Sequence, residues 1–358
     1  MRLNSERILV MNPGSTSTKT AVFEGDKLVF AKTVEHQGPE MAKFKKMFDQ
    51  FQFRLELIKE TLTEAGYPLD SFQAVVARGG RLKGMPGGTY GISALMLKDL
   101  RETVHGEHAS DLGAFLAIDI AKARGIPAFI VDPITTDEVD PVARISGLPE
   151  LERGVRGHFL NMRAVARQVA AGLGKPYEEA RLIVAHLGSG VSLSVHRDGR
   201  VVDIVDGQEE GPFSPDRCGS LPTNKLVNLC FSGKFNGEEM RARIFGGGGL
   251  YAYLGTKDVR EVQKMAQEGN EQAALLLQAL AYQVAKSIGA LATVLNGNVD
   301  AIAITGGMAY SPVFTEMIME RVAFIAPVTL APGEKEMEAL AAGALRVLRG
   351  EEEMKQYA

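Results

Sequence analysis

At 358 residues the chain exceeds one core of ordinary size and fits two domains. Apolar residues make up 45% and charged residues 23%, and 40 Lys+Arg against 44 Asp+Glu leave a net charge of −4 with no basic block or acidic tail. That make-up describes a soluble globular protein and argues against nucleic acid or an anionic membrane as its main partner.

The opening residues, MRLNSERILVMN, run straight into a strand without the apolar core of a secretory signal. No apolar run further along is expected to reach the length of a membrane span. Cys218 and Cys230 are the only cysteines, and their spacing resembles no metal site, so a reducing, cytoplasmic setting is expected.

Residues 8–29, ILVMNPGSTSTKTAVFEGDKLV, read as an apolar strand, a Gly/Ser/Thr turn, a second strand, a Gly turn and a third strand. Met41, Phe44, Met47, Phe48, Phe51, Leu55, Ile58 and Leu62 then follow helical spacing, and Gly66 with Pro68 stops that helix. A short strand, Ala74–Ala77, enters a long Gly-rich basic loop from Arg78 to Tyr90. A helix is expected over His105–Ala123 with His105 and His108 on its face, then a buried strand Ala128–Val131 ending at Asp132. Residues 134–160 read as an irregular connection.

The first pattern then repeats. Residues 182–203, LIVAHLGSGVSLSVHRDGRVVD, match residues 8–29 at one fixed offset, with His186 for Asn12, Gly188 for Gly14, Ser189 for Ser15 and Gly199 for Gly25. Two turns of small residues with free N–H and hydroxyl groups suit phosphate oxygens and suggest a cleft gripping one polyphosphate from both sides. Two ordinary Gly-turn hairpins are the plainer alternative. Downstream lie a Gly/Pro-rich loop at 211–222, a glycine run at Gly246–Gly249 and a long apolar helix from Glu271 to Leu295. A strand Val299–Thr305 turns at Gly306-Gly307, followed by a helix near 312–322, a strand near 327–330 and a helix from Lys335 to Leu348. That last helix has an apolar face too rich for solvent and is expected to pack back on the N-terminal half.

Asn12-Pro-Gly-Ser-Thr-Ser-Thr-Lys19, His186-Leu-Gly-Ser-Gly190 and Thr305-Gly-Gly307 resemble the two phosphate loops and the adenosine loop of the acetate and sugar kinase/Hsp70/actin superfamily. Within it the chain is similar to the acyl kinases, and most to the butyrate kinases. The resemblance continues through Arg78-Gly-Gly to Gly-Gly-Thr-Tyr90, Glu107-His-Ala-Ser, Ala143 to Pro149, Gly211 to Arg217 and Glu336-Met-Glu-Ala-Leu-Ala341. It implies two duplicated α/β actin-like (ribonuclease H-like) domains, 1–150 and 151–358, each a mixed five-stranded sheet flanked by helices. It also implies ATP as substrate, Mg²⁺, a short-chain carboxylate acceptor and a homo-oligomer.

Such a reaction moves the γ-phosphoryl of ATP onto a carboxylate. The acceptor is already ionised at pH 7, so no general base is required, but two anions must meet. The site therefore needs cations and donors placed in advance. By the resemblance Arg78 lies at the acyl substrate and Arg217 reaches the transferring phosphoryl, with His186 as a hydrogen-bond donor to it and His158 as a second active-site histidine. Asp132 orders the transfer site or the metal shell. Ser15, Ser17 and Lys19 line the first phosphate turn, Gly188, Ser189 and Gly190 the second, and Gly306 and Gly307 the adenosine loop. Asn12 and Glu338 lie on the Mg²⁺ side, mostly through waters.

The chain departs from acetate kinases, which carry Gly-Glu-Asn where Gly306-Gly-Met-Ala-Tyr310 stands and His-Arg before the turn that here reads Val75-Val-Ala-Arg-Gly-Gly. Butyrate is therefore the expected acceptor, with acetate, propionate or a branched acid as alternatives. A chaperone or filament ATPase of the same fold is the competing class. A Walker loop and a dinucleotide-binding G-x-G-x-x-G are absent.

Overall fold

The chain folds as two compact units: unit 1 is Met1–Asp137 with Lys335–Ala358, and unit 2 is Glu138–Glu334. The computed structural model describes residues 6–36 and 38–358.

Unit 1 carries β1 (Arg7–Pro13), β2 (Ser17–Glu24), β3 (Lys27–Glu35), β4 (Ala74–Arg78), β5 (Thr89–Gly91) and β6 (Ala128–Val131) in the order β3-β2-β1-β4-β6-β5. β1, β2 and β3 pair antiparallel, while β1, β4 and β6 run parallel. Ile8, Leu9, Val10 and Met11 are all fully buried, as a central strand covered on both faces requires. Leu9, Met11, Val75 and Ala77 pack with Leu55, Ile58 and Leu62 of the helix Phe51–Glu64 and with Leu112, Leu116 and Ile120 of the helix Leu112–Lys122. The C-terminal helix Glu336–Leu348 packs on β1, β4 and β6. It comes close enough that a Cβ on Gly343 would lie 2.5 Å from Val131 Cγ2.

Unit 2 repeats the hairpin set with β7 (Leu182–Leu187), β8 (Val191–Arg197) and β9 (Arg200–Val205), joined by β10 (Ala301–Gly306) and β11 (Val328–Pro332) in the order β11-β10-β7-β8-β9. Alternate residues of β7 and β10 divide between two cores. Ile183, Ala185, Leu187, Ile302 and Ile304 pack with the helices Glu271–Ala292 and Pro312–Val322. Leu182, Val184, Ala301 and Ala303 pack with the helix Phe159–Gly172.

Several expectations change. The first sheet has six strands rather than five, because Thr89–Gly91 within the Gly-rich loop pairs antiparallel with β6. The helix expected over 40–66 is continuous only over Phe51–Glu64. The helix expected from His105 begins at Leu112, since Thr103 (φ 50) and Gly106 (φ 94) turn the chain first and His108 caps a short turn at Ala109–Asp111. An unanticipated helix, Ala94–Arg101, precedes it. Contrary to expectation, the run Glu271–Leu295 is long and apolar enough, by length and composition, to cross a membrane. Here it is a core helix whose Leu276, Leu280, Val284, Ile288 and Leu291 are buried.

The boundary expected at 150/151 falls inside unit 2, whose hydrogen bonds hold the preceding segment. Asp140 N–H donates to Val202 O at 2.9 Å, the Asp140 carboxylate meets Arg197 at 2.8 Å and Arg200 at 2.6 Å, and Glu138 pairs with buried Arg163.

Candidate functional site

In unit 1 the β1–β2 turn closes through Gly14 N–H, which donates to Ser17 O at 2.8 Å. Ser15 and Lys19 are exposed and Ser17 is half-buried, with Lys19 opposite Asn12 in the ladder. Behind the turn lies a residue that no sequence pattern marks. Arg54, on the helix Phe51–Glu64, is completely buried. Its Nη1 donates to Ser17 O at 3.0 Å and to Thr18 Oγ1 at 2.9 Å, while Nε and Nη2 donate to Gln50 Oε1 at 3.0 and 2.8 Å. All four contacts are to neutral oxygens, and burial pulls its pKa down to about 10. A cation in a low-dielectric site without a counter-ion favours an anion at the turn it supports.

Asn12 and Arg78 stand near the C-terminal ends of β1 and β4, adjacent parallel strands whose ends are a common place for ligands in α/β sheets. Both meet Glu336, the first residue of the C-terminal helix. Asn12 Nδ2 donates to Oε2 at 2.6 Å, and Arg78 Nη1 pairs with Oε1 at 2.9 Å. The Arg78 Nε is buried without a hydrogen-bond partner. Glu338, expected in this place, is exposed. Two residues along an α-helix rotate the side chain by roughly 200°, so only Glu336 shares a face with Asn12 and Arg78.

Asp132 is buried just beyond β6 in the left-handed region (φ 39), a conformation costing a non-glycine residue about 1–2 kcal/mol. Its Oδ1 accepts Gly88 N–H at 2.7 Å and its own N–H donates to Gly88 O at 3.0 Å, so it clamps the Gly-rich loop. Asp111 holds the other end of that loop, accepting Arg81 N–H and His108 N–H at 2.7 Å each. Burial pushes the Asp111 carboxyl above its ordinary pKa. Burial, then Arg81 and Arg78, hold His108 below its own. Gly80 is required here, because a Cβ would lie 2.2 Å from Asp111 Oδ1.

In unit 2, Gly188 N–H donates to Gly190 O at 3.0 Å and closes the β7–β8 turn. Ser214 ties the next loop to that turn, its Oγ donating to Ser189 O at 2.6 Å while accepting Arg217 N–H at 3.2 Å. This seats the Arg217 guanidinium on Gly190, where a Cβ would lie 2.4 Å from Nη1. Arg217 Nη1 donates to Gly207 O at 3.2 Å, its guanidinium lies 4.4 Å from the centre of the Phe245 ring, and its Nε is buried without a hydrogen-bond partner. Burial lowers the Arg217 pKa, opposed by Asp216 and Asp206.

His186, the last polar residue of β7, is fully buried. Its Nδ1 lies 3.0 Å from Asn161 Nδ2, and its Nε2 has no hydrogen bond, though Glu334 Oε1 stands 3.4 Å away. His158 stacks on it with ring centres 3.8 Å apart and planes 13° from parallel, and His158 Nδ1 lies 3.1 Å from Ser192 Oγ. Gly306 (φ 88) backs onto β7 so closely that a Cβ would be 2.5 Å from Leu187 O. Gly307 beside it is exposed.

Unit 1 thus gathers Asn12, Arg78, Glu336 and the Ser15–Lys19 turn, with Asp132 as a clamp. Unit 2 gathers His158, His186, Gly188–Gly190, Arg217 and Gly306. Val75, Val76 and Ala77 are fully buried in β4, and Met308 and Ala309 are buried in the unit 2 core, so these apolar positions do not form an open slot for an acyl tail. Among the described residues no group of three or more His, Cys, Asp or Glu side chains is arranged to hold a metal.

Residues 152–329 match the model of the Acetokinase family. The fold is similar to that of acetate kinase from Porphyromonas gingivalis (TM-score 0.80, 19% identity, 96% of this chain and 100% of that one). Acetate kinase from Entamoeba histolytica is also similar (TM-score 0.74, 16% identity, 94% and 98%). So is a propionate kinase from Francisella tularensis subsp. tularensis SCHU S4 (TM-score 0.72, 18% identity, 94% and 98%). Residues 152–329 are thus similar to the Acetokinase family, within a two-sheet α/β fold like that of acetate and propionate kinases.

Proposed function

We propose that this protein is an ATP-dependent carboxylate kinase, transferring the γ-phosphoryl group of ATP directly to a short-chain acid to give an acyl phosphate and ADP. The observation that carries the reading is the seat of Arg217. A guanidinium rests on the glycine turn of a phosphate-type hairpin, its Nε making no hydrogen bond and standing 4.0 Å from Asp216 Oδ1, and His186 Nε2 lies bare of hydrogen bonds in the same unit. Unspent buried donors are costly unless an anion arrives to take them. Transfer between two anions gains most from such donors, because charge spreads over the equatorial phosphoryl oxygens as it proceeds.

Arg78 and Arg217 divide the work in this reading, one toward the carboxylate and one toward the phosphoryl, each through a fork suited to two oxygens. The small-residue turns at 14–17 and 188–190 are each of a kind that suits phosphate oxygens. Mg²⁺ fits the paired oxygen donors of Asn12 and Glu336, since this ion keeps several waters and takes few protein ligands beside substrate phosphates. When bound it would offset phosphate charge; the side chains orient and stabilise the groups that react.

Butyrate is the proposed acceptor, on the sequence resemblance to butyrate kinases. Each additional buried methylene is worth about 0.8 kcal/mol, so burying the longer tail would favour a C4 acid over acetate by roughly fourfold per CH₂. Trapping acyl phosphate as hydroxamate across C2 to C5 acids, straight and branched, tests this. Butyrate or isobutyrate should give the highest kcat/KM. Acetate or propionate in first place would reassign the substrate and keep the reaction class, while no hydroxamate with any acid would overturn the class.

A further inference from the structure

The geometry points to Asn161 as a positioning residue that fixes the tautomer of His186, so that its Nε2–H, and not a lone pair, is presented to the phosphoryl group. The inference rests on the reading above for what His186 meets, but the tautomer itself follows from hydrogen-bond bookkeeping inside unit 2.

The chain of donors starts at a group that can only accept. The carbonyl of Gly333 lies 3.0 Å from Thr305 Oγ1, so the single hydroxyl proton of Thr305 is spent on it. Thr305 Oγ1 can then only accept from Asn161, 3.2 Å away, and the Asn161 atom facing it is the amide nitrogen rather than the oxygen. The second hydrogen of that nitrogen points to His186 Nδ1 at 3.0 Å, which must offer a lone pair. The neutral ring therefore carries its proton on Nε2.

Burial holds this arrangement. Thr305 and His186 are fully buried and Asn161 is 1% exposed, so no water replaces any link. Thr305 and His186 are partners across β7 and β10, while Asn161 reaches them from the helix Phe159–Gly172. In the opposite tautomer two N–H groups would face each other at 3.0 Å in a site closed to solvent. At its other end Nε2 lies 3.2 Å from where a Cβ on Gly188 would stand, which places the proton at the β7–β8 turn. The contact to Glu334 Oε1 at 3.4 Å agrees with an Nε2 that carries hydrogen. Glu334 itself is exposed.

The test is a long-range ¹H–¹⁵N spectrum of the whole protein labelled at histidine, with His186 assigned by the peak set lost in His186→Gln; the chain has only 6 histidines. The expected pattern is a protonated Nε2 and a bare Nδ1; a protonated Nδ1 in the wild-type protein would overturn the inference whatever the enzyme does. Asn161→Asp puts a pure acceptor at Nδ1 and should move the proton there. It should lower kcat on the order of a hundredfold, the usual loss of one transition-state donor, with KM for ATP within about threefold. A switched tautomer with wild-type kcat would also overturn the inference. If Asn161→Asp does not fold, Thr305→Val releases the amide to flip and should show both tautomers, and a single unchanged Nε2–H form there would sink the relay. A wild-type spectrum of the expected form with no acyl phosphate made would instead count against the proposed function alone.

Discussion

Replacing Arg54 separates the stability of the fold from its affinity for anions. Its guanidinium is buried, its pKa is pulled down to about 10 by burial, and its four hydrogen bonds reach only neutral oxygens. A depressed pKa on a base means folding disfavours the charged form. At about 1.4 kcal/mol per pH unit the cost is of order 3 kcal/mol. It is present in full at pH 7 and fades only as pH rises above about 10. Methionine carries no such cost. After Arg54→Met, Ser17 O keeps Gly14 N–H and Thr18 Oγ1 keeps His36 Nε2, so only Gln50 Oε1 is stranded, at roughly 1–3 kcal/mol. The single variant should thus be close to wild type, and Gln50→Leu with Arg54→Met should gain about 1–3 kcal/mol, or roughly 2–4 °C in Tm per kcal/mol. The same double variant should bind ADP and inorganic phosphate at least about tenfold more weakly. Thermal unfolding without phosphate, with nucleotide titration beside it, checks both. A double variant destabilised by several kcal/mol with unchanged nucleotide affinity would refute the reasoning and leave Arg54 a structural residue.

Arg217→Ala should lower kcat by at least about a hundredfold with little change in ATP affinity, measured by steady-state kinetics and equilibrium nucleotide binding, because its charge meets charge that develops during transfer. Gly190→Ala should push the same guanidinium aside, dropping kcat by at least about tenfold while Tm stays within a few degrees, since the colliding atom is the end of a flexible side chain. Glu336→Gln should raise the Mg²⁺ concentration needed for half-maximal rate severalfold, and Glu338→Gln should leave the Mg²⁺ titration unchanged, because Glu336 alone of the two faces Asn12 and Arg78.

What the chain discloses in one dimension, and what it hides, follows from the range of each interaction. β1–β3 and β7–β9 are readable because apolar runs, Gly turns and register are local, and the two copies reinforce each other. Residues 38–50 mislead because Met41, Phe44 and Met47 keep helical spacing while the backbone breaks into a short helix at Gly38–Met41 and a separate turn at Met47–Gln50. β5 has only Thr-Tyr-Gly to announce it, and its pairing with β6 is a long-range fact. Arg54 looks like one more charge on an amphipathic helix until the β1–β2 turn is placed over it. Asn161 carries no local signal at all, since its meaning lies in Thr305 and His186, distant in sequence. The choice of Glu336 over Glu338 depends on helix phase at a terminus, where one-dimensional reading is weakest.

The most direct test of the central claim is the fate of labelled phosphoryl. Incubated with [γ-³²P]ATP, Mg²⁺ and butyrate, the purified protein should form a product whose label is released by hydroxylamine, in step with ADP and dependent on the acid. ADP formed with label only in inorganic phosphate, at a rate indifferent to the carboxylate, would contradict the account and identify an ATPase of the same fold.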